Sequence, residues 1–185
     1  MHAFNLSVLT LLVAAPAACQ GGDTNSKGHT MAASVGGSPP PAAAKRDEQY
    51  VSWDAATKTT TFKLVAGPFV FNGYGNGEAT LTVPPESKVV VNFVQDDGTP
   101  HSAEVYSGDG PLPNAGGDPA IPRAYTNKVV EGLPQGATDE MRFSAPSQGT
   151  FRIICGVPGH ALSGMWLWFK VDPAATTPAF GPTKK

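Results

Sequence analysis

The sequence predicts an all-β fold, an antiparallel β-sandwich or barrel of seven to eight short strands. Apolar and polar residues alternate with a period of two in several short runs that are rich in β-branched and aromatic residues. Turn-forming residues separate these runs, and the chain has 21 Gly and 18 Pro among its 185 residues. No stretch shows the periodicity of a long amphipathic helix, and no internal repeat is visible.

The N-terminal segment predicts export from the cytoplasm. Residues 1–18 are largely apolar and free of Asp, Glu, Lys and Arg, as in a signal peptide, and small residues lie just before Cys19. Two outcomes are open, because signal peptidase could cleave after Ala17 or Cys19 could become the lipidated first residue of a lipoprotein. Residues 19–48 have almost no large apolar side chains, so we expect a disordered tether. We therefore expect the domain in the periplasm or on the outer face of a membrane.

Residues 49–173 carry the strand pattern, and this length is sufficient to bury a core. Residues 107–126 are too rich in Pro and Gly for regular structure and predict a long surface loop, while residues 174–185 predict a flexible tail. The net charge of -2 offers no basic surface for nucleic acid. The predicted strands lie in the runs TTTFKLVAG, EATLTV, KVVVNFV, HSAEVY, DEMRFSA, TFRIIC and MWLWFKV.

The cysteine count favours a metal site over a disulfide. The chain has two cysteines, and either fate of the signal peptide removes or caps Cys19. Cys155 is then left without a partner within the chain. A lone thiol in an oxidising compartment is a liability unless something occupies it, and a metal ion would do so.

The stretch CGVPGHALSGMW, residues 155–166, places three potential metal ligands around one turn. Four residues separate Cys155 from His160, and four more separate His160 from Met165. Alternation along TFRIICGV points Cys155 inward at the end of a strand, and the following Gly and Pro residues force a turn that carries His160. Thiolate, imidazole and thioether together match a copper site with two His, one Cys and a weak axial Met.

That copper site requires a second histidine. Apart from the histidine of the loop, a processed chain keeps His29 and His101. His29 lies in the predicted tether, which leaves His101, where a turn runs into a strand 54 residues before Cys155. Two alternatives stay open at this point: His101 as an ordinary turn histidine, and Met165 as an ordinary core residue.

The loop resembles the copper loop of the cupredoxins, and most closely that of the sulfocyanins, with rusticyanin next. The segment FVFNGYGNG, residues 69–77, is similar to the sulfocyanin pattern F-x-F-N-G-x-x-x-G, and FSAPSQGTFRIICGVPGH resembles the strands that lead into a cupredoxin copper loop. The likeness covers roughly residues 50–172 and implies a cupredoxin-like Greek-key β-sandwich. It implies one type 1 copper ion with the ligands His101, Cys155, His160 and Met165.

The resemblance also implies a function. It suggests a monomeric one-electron carrier, not an enzyme, in an extracytoplasmic respiratory chain, with a cytochrome or a terminal oxidase as partner. Ser102, directly after His101, is placed to support the copper loop by hydrogen bonds. We expect the outer edge of His160 near the surface, with Trp166 and Trp168 packed on the opposite side of their strand from Met165. The expected apolar collar around His160 consists of Val157, Pro158, Ala161 and Leu162.

Three other classes of protein use cysteine and histidine in comparable sites. A multicopper oxidase or copper nitrite reductase needs more histidines for its catalytic copper than this chain has. A Cys/His hydrolase needs an oriented base beside the thiol, and a methionine at the third position does not serve that chemistry. A copper carrier or chaperone could use the same four ligands, but it would require an exposed and exchangeable site. This last class is the alternative that the sequence leaves open.

Overall fold

The computed structural model describes residues 47–184, and these form ten β-strands and one short 3-10 helix, Glu48–Tyr50. The predicted signal peptide and Cys19 lie outside the described residues, as does nearly all of the predicted tether. The strands are β1 Val51–Asp54, β2 Thr59–Gly67, β3 Val70–Phe71, β4 Ala79–Val83, β5 Lys88–Gln95, β6 Glu104–Ser107, β7 Thr138–Ser144, β8 Gly149–Ile154, β9 Trp166–Val171 and β10 Ala179–Pro182.

The strands form two five-stranded sheets, which confirms the predicted all-β sandwich. One sheet has the order β1-β2-β5-β7, with β3 paired to β2, and the other has the order β10-β4-β9-β8-β6. Most neighbouring strands pair antiparallel, as predicted, but β2 pairs with β5 and β4 pairs with β9 in parallel. The predicted seven to eight strands become ten, because β1, β3 and β10 are two to four residues long and too short for a periodic signal.

One hydrophobic core lies between the two sheets. The alternation in β2 and β9 places every second side chain inside, as the burial pattern of each strand shows. Aromatic side chains join the layers: the ring of Phe143 on β7 meets that of Phe169 on β9 edge to face, with 5.8 Å between their centroids. The predicted metal ligands Cys155 and Met165 belong to the same core cluster.

The predicted loop over residues 107–126 begins where β6 ends, and it forms no strand. It does not lie loosely on the surface, because Ile121 and Ala124 are buried. The backbone N–H of Val105 donates to the carbonyl of Ala124, at 2.8 Å, and Ala120 donates to Val105 at the same distance. Strand β6 is the edge of its sheet, so this loop covers groups that would otherwise be left unpaired.

The C-terminal segment corrects the prediction of a flexible tail over residues 174–185. Ala179–Pro182 form β10, which pairs antiparallel with β4. Phe180 is the reason, because its ring lies 4.9 Å from that of Phe62 and is only 7% exposed. Its isolated position among small and polar residues hid this anchor from a periodicity analysis. Within residues 47–184, no helix has the length and apolar character needed to cross a membrane.

Removing the Phe180 side chain tests whether β10 belongs to the folded domain. We expect Phe180→Ala to lower the free energy of unfolding by about 3–5 kcal/mol, because it empties a well-packed aromatic site. Urea unfolding followed by fluorescence measures the change, with Lys184→Ala, at an exposed position of the same segment, as the control. Equal stability of the two variants would show that the segment is a tail after all.

Candidate metal centre

Three potential metal-binding side chains, one from residue 101 and two from the loop after β8, converge at one end of the sandwich. His101, Cys155 and His160 each offer a ligand atom, and these atoms lie within 4.8 Å of one another. The Cys155 Sγ lies 3.8 Å from the Nδ1 of His101 and 3.5 Å from the Nδ1 of His160. The two Nδ1 atoms are 3.1 Å apart. The sequence predicted this grouping, and the structure brings all three together.

His101 is fully buried and is fixed from two sides. Its backbone exchanges hydrogen bonds with Leu133, whose N–H donates to the His101 carbonyl at 2.7 Å. Its ring nitrogen Nε2 lies 2.9 Å from the Oδ2 of Asp97, and this hydrogen bond holds the pKa of Asp97 below its usual value. The Nδ1 atom is thereby directed at the thiol. Sequence reasoning missed Asp97, whose only signal was its position four residues before His101.

Cys155 lies directly after β8, buried at the end of the strand as predicted. Ser102 supports it, because the Ser102 N–H donates to Sγ at 3.5 Å and its hydroxyl accepts from the Gly156 N–H at 3.0 Å. This confirms the expected role of Ser102 beside the loop. Burial raises the pKa of the Cys155 thiol, while the Ser102 N–H favours the thiolate. A metal ion would displace the thiol proton on binding.

The loop between Cys155 and Met165 closes on itself through its backbone. The Met165 N–H donates to the His160 carbonyl, and the Cys155 N–H donates to the Met165 carbonyl, both at 3.0 Å. Met165 is fully buried beside the core, and Gly164 precedes it with a φ of 99°, a conformation that favours glycine. Burial lowers the pKa of the His160 imidazole, which favours the neutral form that ligates metals.

Phe69 is a site residue that the sequence analysis missed. Its ring lies 4.7 Å from the ring of His160 and 6.0 Å from that of His101, yet 41% of the residue is exposed. Its φ of 55° is an uncommon conformation for a bulky residue. The signal was present, because Phe69 opens the F-x-F-N-G segment. In that segment Asn72 and Gly73 form a hairpin turn, and the Asn72 side chain accepts from the Val65 N–H.

The prediction of an apolar collar around His160 was partly wrong. Leu162 is 57% exposed and Pro158 is exposed, but Ala161 is buried and contributes little surface. Val157 is partly buried and packs against the core. The exposed ring of Phe69 contacts His160, so the exposed apolar surface at this site includes Phe69 as well as residues of the loop itself.

A buried carboxyl group ties the long loop to the metal end of the molecule. Glu104 is fully buried, and its Oε2 accepts from the Gly117 N–H at 2.6 Å. Its Oε1 has no hydrogen-bond partner among the described residues, and burial raises the pKa of this carboxyl group. The neighbouring Gly116 donates to the carbonyl of Gly156, directly after Cys155, at 2.9 Å. The loop therefore stabilises the copper loop from outside, a role that its composition did not reveal.

Trp166 and Trp168 lie on the outer face of β9, as predicted. Their rings meet edge to face with 5.1 Å between centroids, and the guanidinium of Arg152 lies 5.6 Å and 5.4 Å from them. A Cβ on Gly77 would come within 2.4 Å of Trp166. The two indoles are thus packed against a neighbouring backbone and a cation, which is the expected sheet packing.

The donors fit a type 1 copper ion. Two imidazole nitrogens and one thiol sulfur lie 3.1 to 3.8 Å apart. Metal–imidazole and metal–thiolate bonds are about 2.0–2.3 Å long, so one ion between the three could reach each of them. The soft thiolate, the two imidazoles and a buried methionine at the loop's end form the donor set of blue-copper centres.

Comparison with known proteins places the chain in a family. Residues 47–180 match the family model of the sulfocyanin (SoxE) domain. Sulfocyanin of Sulfolobus acidocaldarius is 32% identical over 117 residues, which cover 60% of this chain and 59% of that protein. The match thus spans less than two thirds of the length of this relative.

The solved structures that resemble this chain have a lower sequence identity to it. A structure of auracyanin B is 24% identical, covers 61% of this chain and 88% of its own, and gives a TM-score of 0.49. Rusticyanin from Thiobacillus ferrooxidans is 24% identical, covers 72% of this chain and 95% of its own, and gives a TM-score of 0.46. The assignment rests on the family model instead, which matches most of the chain. The chain therefore belongs to the sulfocyanin (SoxE) domain family.

Proposed function

We propose that the domain binds one copper ion through His101, Cys155, His160 and Met165 and serves as a one-electron carrier. The observation that carries this proposal is the convergence of a buried thiol and two imidazole Nδ1 atoms at one end of the sandwich. Met165, which is fully buried and is linked to Cys155 and His160 through its backbone, is proposed as the weak axial ligand.

Bound copper would supply a one-electron couple between Cu(I) and Cu(II). The chain's own contribution is to hold the donors in place while the charge changes. His101 is held by Asp97 and Leu133, and Cys155 is held by Ser102. Because His101 and Cys155 are buried, they have little freedom to rearrange, and a fixed donor set lowers the cost of changing oxidation state.

The surface beside His160 is the proposed docking site for a redox partner. His160 is partly buried, and the exposed side chains of Phe69 and Leu162 lie next to it in space or in sequence. A small apolar contact of this kind suits the weak and short-lived interfaces of electron transfer. Phe69 touches the imidazole directly, which would bring a docked partner close to the site.

We also propose where the domain works in the cell and which proteins it meets there. A signal peptide over residues 1–18 would export the chain to the periplasm or to the outer face of a membrane. A lipid on Cys19, followed by a tether over residues 19–48, would let a monomeric domain move between membrane-bound donors and acceptors. The proposed partners are a cytochrome or a terminal oxidase of a respiratory chain.

A copper carrier or chaperone is the second candidate, and the burial of the site argues against it. Cys155, Met165 and His101 are each at most 1% exposed. Release of the metal from such a site requires the loop to open, whereas electron exchange at the edge of His160 does not. We also propose that the chain is not an enzyme, in keeping with the electron carriers of its family.

The optical spectrum of the copper-loaded protein tests the ligand set. We expect wild-type protein to show an intense visible band from charge transfer between thiolate and copper, and Cys155→Ser to lose it while remaining folded. The substitution exchanges one sulfur for one oxygen, so the far-ultraviolet circular dichroism, which reports on the fold, should be unchanged. An intense band in the serine variant would rule out Cys155 as the ligand.

Two substitutions at Met165 test its proposed axial role. Leu removes the thioether but keeps a similar volume. Because Cu(II) needs axial donation more than Cu(I), Met165→Leu should raise the reduction potential, and Met165→Gln, with a harder oxygen donor, should lower it. Each tenfold change in relative affinity for the two oxidation states shifts the potential by about 59 mV. Voltammetry that finds both potentials moving in one direction, or neither moving, would make Met165 a core residue only.

A charge at Leu162 tests the docking surface. We expect Leu162→Lys to slow electron exchange with a redox partner on the order of tenfold, about 1.4 kcal/mol, because it desolvates a charge in an apolar contact. The absorption spectrum should not change. Ala174→Lys adds the same charge at an exposed position beyond the opposite end of β9 and serves as the control. Equal stopped-flow rates for the two variants would place electron entry elsewhere.

A further inference from the structure

We infer that Asp97 is a positioning residue whose carboxylate fixes the tautomer of His101 and biases the copper site towards its oxidised state. The inference rests on the proposed function, because it concerns a residue that acts through a proposed ligand. Its basis is a contact of 2.9 Å between the Asp97 Oδ2 and the His101 Nε2.

The geometry assigns different tasks to the two nitrogens of His101. Nδ1 faces the Cys155 Sγ at 3.8 Å and the His160 Nδ1 at 3.1 Å, whereas Nε2 faces Asp97. A neutral imidazole carries one N–H, and a carboxylate can only accept. The proton therefore lies on Nε2, and the Nδ1 lone pair is left free at the centre of the site.

The turn that carries Asp97 is itself held in place. Gln95 is buried, and its side-chain Nε2 donates to the carbonyl of Asp97 at 3.1 Å and also to that of Thr99. The backbone N–H of Asp96 donates to the Ala66 carbonyl on β2 at 3.0 Å. The carboxylate is thus presented by a braced turn and not by a free loop, which is a condition for a group that orients a ligand.

The surroundings leave this charge poorly screened. The His101 side chain is fully buried and that of Asp97 is only 16% exposed. Phe69 places an apolar ring against the imidazole. A negative charge hydrogen-bonded to the far side of a ligand ring increases the ring's electron donation, and it stabilises the more positive metal ion more. The contact should therefore favour Cu(II) over Cu(I).

A variant that removes the negative charge of Asp97 but keeps a hydrogen-bond acceptor distinguishes the effect of the charge from that of the hydrogen bond. In Asp97→Asn, the amide oxygen can still accept from Nε2. We expect the blue absorption band to remain and the reduction potential to rise, by about 59 mV if the relative affinity for Cu(II) falls tenfold. Asp96→Asn is the matched control, because the neighbouring Asp96 is exposed and forms no described side-chain contact with His101. Its potential should match that of the wild type.

A measurement on unmodified protein makes the test independent of how the variants fold. In the diamagnetic Cu(I) protein, ¹H–¹⁵N NMR should find His101 as the Nε2–H tautomer with a slowly exchanging proton. Rapid exchange of the Nε2 proton with solvent would overturn the inference, whereas an Nδ1–H tautomer would refute His101 as a copper ligand.

The results also distinguish failure of this inference from failure of the proposed function. Wild-type protein without an intense thiolate band would refute the copper site itself. A wild-type blue band together with equal potentials in Asp97→Asn and Asp96→Asn would leave the copper site standing and refute the role of Asp97. A higher potential in Asp97→Asn alone would support it.

Discussion

The hydrogen bonds of Ser102 are the interaction on which the metal end of the molecule depends. Its hydroxyl donates to the Val129 carbonyl at 2.6 Å and accepts from the Gly156 N–H, while its backbone N–H donates to the Cys155 thiol. One residue thus connects the segment of His101, the turn around Val129 and the copper loop. These segments are distant in sequence, and Ser102 itself is fully buried, so leaving its hydroxyl or its N–H unpaired would cost free energy.

The sandwich supplies the frame that makes this connection possible. Strand β8 delivers Cys155, β9 returns the chain from Met165, and β6 follows His101, and these three strands are neighbours in one sheet. The segment of Phe69 comes from the other sheet, where β3 pairs with β2. A rigid donor set is therefore a consequence of packing two sheets, and no single loop could hold it alone.

The sequence was sufficient to predict the sandwich and to name the residues that converge. Cys155, His160 and Met165 lie within eleven residues and share one turn, so local spacing reveals them. Phe69 and Asp97 were missed because their roles depend on which turns meet across the two sheets, and periodicity contains no such information. Strand β10 and the parallel pairings were missed for the same reason. The burial of Phe180 and the choice of which strands pair both depend on contacts between residues that are far apart in the sequence.

The two histidines of the site divide the work of an electron carrier between them. His101 is fully buried, and its ring is hydrogen-bonded to the Asp97 carboxylate, so it is suited to setting the reduction potential of the metal. His160 is partly buried beneath Phe69 and lies two residues before the exposed Leu162, so it is suited to passing the electron to a partner. Tuning and transfer can then change independently, because a substitution on the docking surface need not touch Asp97. The asymmetry between two chemically identical ligands thus follows from where each lies in the sandwich.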